Sequence, residues 1–124
     1  MVGQNQLVGG WIGSLLGPAA ELMRGYKGWK PSDQAIVQSM FKKHFYPVLN
    51  TMSTWNGNVD FTQIDAMMNI AVFCEDEKEF RLGINRFQSR TRAYFYLESD
   101  GKIPAMELWF KPKKWVNGLT QETC

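Results

Sequence analysis

Asp60-Phe61-Thr62-Gln63-Ile64-Asp65-Ala66-Met67-Met68-Asn69-Ile70-Ala71-Val72-Phe73 decides the fold. Apolar side chains occur at nearly every angle around a helix drawn through this stretch. A helix that is apolar all round is enclosed by others instead of lying on a surface. Asp60 followed three positions later by Gln63 makes a capping-box start. Working toward the C-terminus, Asp76 and Glu79 form a second cap-like pair and open a helix through Phe80, Ile84 and Phe87. The connection between the two helices is only about Glu75 to Glu77, which predicts a tight antiparallel hairpin.

Working toward the N-terminus, Asn56-Gly57 marks a turn in a loop from Asn50 to Val59. Before it, Ile36, Val37, Met40, Phe41, His44, Phe45, Val48 and Leu49 fall on one helical face. Pro47 lies inside this run and predicts a kink or an end near Phe45 or Tyr46. The lone histidine, His44, shares the apolar stripe, which predicts a core position. Trp29-Lys30-Pro31-Ser32-Asp33 reads as a loop ending in capping residues. Pro18 fits the first position of a short helix that Gly25 stops. Val8, Trp11, Ile12, Leu15 and Leu16 add a helical turn or two before it. Ser99-Asp100-Gly101 is a turn, and the chain from there to the end reads as irregular. The fold class is therefore all-α: two helical hairpins and an irregular C-terminal segment in one domain, 1–124.

Composition sets limits. The chain is 44% apolar and 14% aromatic, enough to build a core, and 21% charged, which separates it from disordered and fibrous sequences. A net charge of +2 is too weak to predict a nucleic-acid partner. The short run Lys111-Pro112-Lys113-Lys114 reads as a solvated loop. No stretch approaches the roughly 18 consecutive apolar residues of a membrane span, so no membrane partner is expected. The N-terminus lacks the basic and apolar regions of a secretory signal, which leaves the compartment open. Two cysteines, Cys74 and Cys124, do not make a disulfide framework, and whether they pair is open. Cys74 follows an apolar run and reads as a small buried hydrophobe. One histidine among scattered carboxylates gives no metal constellation. With no glycine-rich phosphate loop, no Cys-x-x-Cys and no Ser-His-Asp context, no cofactor is expected.

Taken in order, Gly28-Trp29, Phe45-Tyr46-Pro47, Asn56-Gly57-Asn58, Ile64 to Phe73, Arg90 to Asp100-Gly101 (with Ala93-Tyr94-Phe95-Tyr96-Leu97 inside it) and Gly118-Leu119-Thr120-Gln121-Glu122-Thr123-Cys124 form a series. That series resembles the alginate-lyase-like polysaccharide lyases over most of the chain, most closely from Asn56 to Gly101 and over the last seven residues. The resemblance implies part of an α/α toroid, in which helical hairpins ring a cleft. It also implies an acidic polysaccharide partner, β-elimination chemistry and secretion.

Such chemistry neutralises a uronate carboxylate, removes the proton beside it and protonates the leaving oxygen. On this resemblance Arg90 and Tyr94 are the catalytic candidates, and Asn56, Asn58, Tyr96 and Glu122 the substrate-binding candidates. Asn58, at a helix start, also has backbone N–H groups beside it that favour an anion. Arg90 could hold a carboxylate bidentately; as a plain residue late in a helix it would face solvent. Tyr94 and Tyr96 read equally as core or rim aromatics. The sequence departs from the family in four places, one of them a short irregular region from Lys102 to Asn117. Val59 stands where the relatives carry Trp, and Arg92 replaces a proline. The terminal motif stops at Cys124, before an Arg-Asp-x-Gly-His stretch, so the expectation is a chain short of part of the catalytic set. The competing expectation is a non-catalytic helical module that binds glycan or protein through Trp29, Trp55, Trp109 and Trp115, and that forms homo-oligomers through uncovered apolar faces.

Overall fold

The computed structural model describes residues 2–51 and 58–91, which are helical with short turns and no strand. Helix α1 spans Val2–Met23. Helix α2 (Pro31–Met40), a π-helical turn (Phe41–Phe45) and α3 (Tyr46–Leu49) form one continuous rod. Helices α4 (Asn58–Phe73) and α5 (Glu77–Thr91) form the second hairpin. The all-α reading and this hairpin match the sequence. The irregular segment after residue 91 lies outside the described residues, as do residues 52–57.

Helix α4 is the centre. Ile64, Ala66, Met67, Ile70 and Phe73 are all 1% exposed or less. Phe41 and Leu49 of the rod meet them, and Phe41 packs edge-on against Phe73 with ring centroids 5.8 Å apart. Trp29 stacks on the same Phe73 ring at 5.8 Å, so this tryptophan is part of the packing and not an exposed platform. The α4–α5 turn is tied by Asp76 N–H to Ala71 O (2.9 Å) and Glu75 N–H to Val72 O (3.1 Å), with Glu75 at φ 54°. This is a Schellman closure, with a non-glycine residue in the left-handed position usually given to glycine. Asp76 then caps α5 by accepting from Glu79 N–H at 3.1 Å.

Helix α1 corrects the sequence reading. It is one helix of 22 residues with Pro18 inside it, not a short helix that Pro18 opens. Pro18 is exposed, so water can take up the Ser14 carbonyl that lacks its N–H partner. The face α1 turns inward is not its apolar stripe. Gly10, Gly13, Gly17 and Ala20 are buried, while Val8, Trp11, Ile12, Leu15 and Leu16 are 41–74% exposed. A Cβ on Gly10 would stand 2.6 Å from Thr62 Oγ1, and one on Gly13 2.8 Å from the Ala66 Cβ. The backbones approach too closely for any larger side chain. Glycine costs about 1 kcal/mol each inside a helix, so α1 is held by this contact and not by its own propensity. The pairing Gly10 with Thr62, Gly13 with Ala66 and Gly17 with Asn69 shows that α1 and α4 run parallel, side by side. The α2–α3 rod and α5 run antiparallel to them.

Pro47 neither ends nor breaks its helix. The rod widens instead: Tyr46 N–H donates to Phe41 O, five residues back. A π-helical turn opens the space that the proline ring needs. It also rotates the rod away from regular α-helical register, so His44 is exposed and not the core residue that the stripe predicted. Ile36, at 67% exposure, leaves the stripe as well.

Candidate functional site

Two polar clusters interrupt the core. The first lies at the N-terminal end of α4, where the antiparallel α5 brings its C-terminal turns. Asp60 is 1% exposed and accepts Arg86 Nη2 at 2.9 Å and Arg90 Nε from two turns of α5. Arg86 Nη2 also reaches Gln63 Oε1 (3.1 Å), and Arg86 Nη1 reaches Leu49 O (2.8 Å). Gln63 Nε2 in turn donates to Val48 O at 3.2 Å. The Asp60–Gln63 pair is therefore not a capping box. Helix α4 begins two residues earlier, at Asn58, and both side chains are drawn into the core by arginines of α5, with Asp60 bonded 26 and 30 positions away.

The helix start puts Asn58 at an exposed first position, where the Asn50–Val59 loop was expected. Arg90 is 18% exposed and bound to Asp60, so it is not the solvent-facing residue that its place late in a helix suggested. Asn58 and Arg90 thus share one end of the hairpin. Asn56, Tyr94, Tyr96 and Glu122 lie outside the described residues, as do Trp55, Trp109, Trp115 and Cys124.

The second cluster joins α3, the 74–76 turn and α5. Tyr46 hydroxyl donates to Asp76 Oδ2 at 3.5 Å, and Asn50 Nδ2 donates to Glu79 Oε2 at 3.3 Å. Burial raises the pKa of the Glu79 carboxyl; the Asn50 hydrogen bond and Lys78 oppose it, and the Asp76 charge adds to it. Burial also raises the Tyr46 phenol, with Cys74, Asp76 and Glu79 adding to the effect. Tyr46 therefore stays protonated and acts as a donor, not as a base. Cys74 is a free, buried thiol pushed up mainly by burial. No three His, Cys, Asp or Glu side chains among the described residues stand close enough to share a metal ion.

Sequence reasoning missed Asp60 and Arg86 as partners. The signal available was a charged residue at each end of a predicted hairpin, on faces otherwise apolar. A groove of about 540 Å³ also runs between α1 and the π-helical turn, lined by Asn5, Val8, Gly9, Ile12, His44, Phe45 and Val48. No protein-family model, no curated protein and no solved structure matches the chain.

Proposed function

We propose that the chain forms an arc of the helical ring of a lyase acting on uronate polysaccharide, with the Asn58 and Arg90 end of the α4–α5 hairpin turned to the acidic polymer. The observation that carries this reading is the parallel contact of α1 with α4, each followed by an antiparallel companion. Hairpins repeated in this way, with alternate helices side by side, are the building pattern of an α/α toroid. It agrees with the ordered sequence resemblance to alginate-lyase-like proteins.

The chemistry asks for a cation and amide donors at the sugar carboxylate, because the neighbouring carbon acid ionises only when that charge is offset. Arg90, its guanidinium fixed by Asp60, supplies the cation in this reading. Asn58 and the first N–H groups of α4 supply donors. Tyr94 would move the proton, and Asn56, Tyr96 and Glu122 would complete the sugar contacts, as the resemblance implies. A second reading, a non-catalytic binding module, rests on the exposed apolar face of α1, where Trp11 is 50% and Leu15 74% exposed.

The test is the ultraviolet absorbance of the unsaturated uronate product on incubation with alginate and with polyglucuronate. A rise that Arg90→Gln abolishes supports the lyase reading. A flat trace from a folded chain that also fails to bind either polymer overturns it.

A further inference from the structure

Glu79 sits on α5 at 7% exposure, facing α3 across the core. Its Oε2 takes the Asn50 amide at 3.3 Å, and its Oε1 has no partner among the described residues. Every element around it contributes polar or titratable groups, and these offer little positive charge. From α3 come the Tyr46 phenol and the Asn50 amide; from the turn come Cys74 and the Asp76 carboxylate. On α5 itself Lys78 is exposed and adjacent, and Lys42 and Arg24 act on Cys74. Asp76 is committed to capping α5 and to the Tyr46 hydroxyl. A buried carboxylate without a paired cation is costly to ionise, and a proton is the simplest way to remove the cost.

We infer that Glu79 is a proton-operated clamp between α3 and α5: protonated, it sits in the buried contact without a charge, and ionised, its unpaired buried charge weakens the packing of α5 on the rod, even though the Asn50 amide bonds the charged form better. The upward displacement of its carboxyl pKa agrees with this arrangement. The folded chain then holds a proton that the unfolded chain releases near 4.5. Stability from the clamp is full below that value and falls as pH rises through the folded-state value. The clamp makes the α3–α5 contact tighter below the folded-state value and looser above it, whatever ligand the chain binds.

The direct test is a carbon-13 titration of the Glu79 carboxyl in the unmodified chain. The expected midpoint lies above 4.5, and a midpoint at or below 4.5 overturns the inference. Denaturant unfolding of Glu79→Gln gives an independent readout. The amide keeps the shape and the Asn50 contact without a charge, so the variant is expected to resist unfolding better than the parent at neutral pH. Its stability is also expected to lose the fall between acid and neutral pH that the parent shows. An unchanged pH profile, or a variant less stable than the parent at neutral pH, overturns the clamp.

Discussion

Arg86 of α5 and Asp60 of α4 form an ion pair out of reach of water, with Nη2 2.9 Å from Oδ1 and the side chains 7% and 2% exposed. Removing Arg86 leaves the buried Asp60 with Arg90 alone of its two arginines, so the loss reaches at most the ~3–5 kcal/mol of a fully uncompensated buried charge. Arg86→Met also strips donors from Leu49 O and Gln63 Oε1. Urea unfolding should show a loss up to that size. Adding Asp60→Asn should restore part of it, because the coupling between residues in one network is about 0.5–3 kcal/mol. Strictly additive losses would mean that the pair is not formed in solution.

Gly13 faces Ala66 across the α1–α4 seam with no room for a methyl group. Gly13→Ala should destabilise by roughly 1–3 kcal/mol through overpacking, although the same change in an exposed helix stabilises by about 1 kcal/mol. Ala66→Gly in the same chain removes the obstructing methyl and should make the double variant less unstable than the sum of the singles. Thermal unfolding of the four proteins decides it.

The outward apolar stripe of α1 makes a different prediction from a core stripe. Leu15→Glu should change the unfolding free energy by less than about 0.5 kcal/mol, since Leu15 is 74% exposed. Leu49→Ala, at a position of 0% exposure, should cost about 2–5 kcal/mol. If the two changes cost the same, α1 is packed the other way round.

Cys74 is buried and its thiol is pushed up, so it holds little reactive thiolate at neutral pH. In a Cys124→Ser background, alkylation of Cys74 should be slow in buffer and rise in step with unfolding as denaturant is added. Rapid labelling in the folded state would show that the α2–α4 contact opens on its own.

The architecture was legible where burial and apolar periodicity coincide. Ile64 to Phe73 encodes its own enclosure, and Asp76-x-x-Glu79 encodes the start of α5. Elsewhere the apolar pattern misled for a physical reason. In α1 the docking face is glycine, which periodicity does not register, so the apolar residues mark the outside. At Pro47 a one-residue widening of the helix displaced His44 from the face its spacing predicted. At Asp60 the short-range cap signal lost to a long-range partner that no local window contains. Of the site candidates, Asn58 and Arg90 share the open end of the predicted hairpin, but only the helix start at Asn58 and the Arg90–Asp60 ion pair place them there.

The measurement that bears most directly on the proposed function is a titration followed by backbone amide resonances, using an oligoalginate and the same oligomer with its carboxylates reduced to alcohols. If the Asn58 end of the hairpin faces the acidic polymer, the charged oligomer shifts the Asn58 amide and its neighbours at the start of α4, and the reduced oligomer does not. Asn58→Ala should then weaken the response while the fold is retained. Equal shifts from both oligomers, shifts confined to the outer face of α1, or no shifts at all would contradict it.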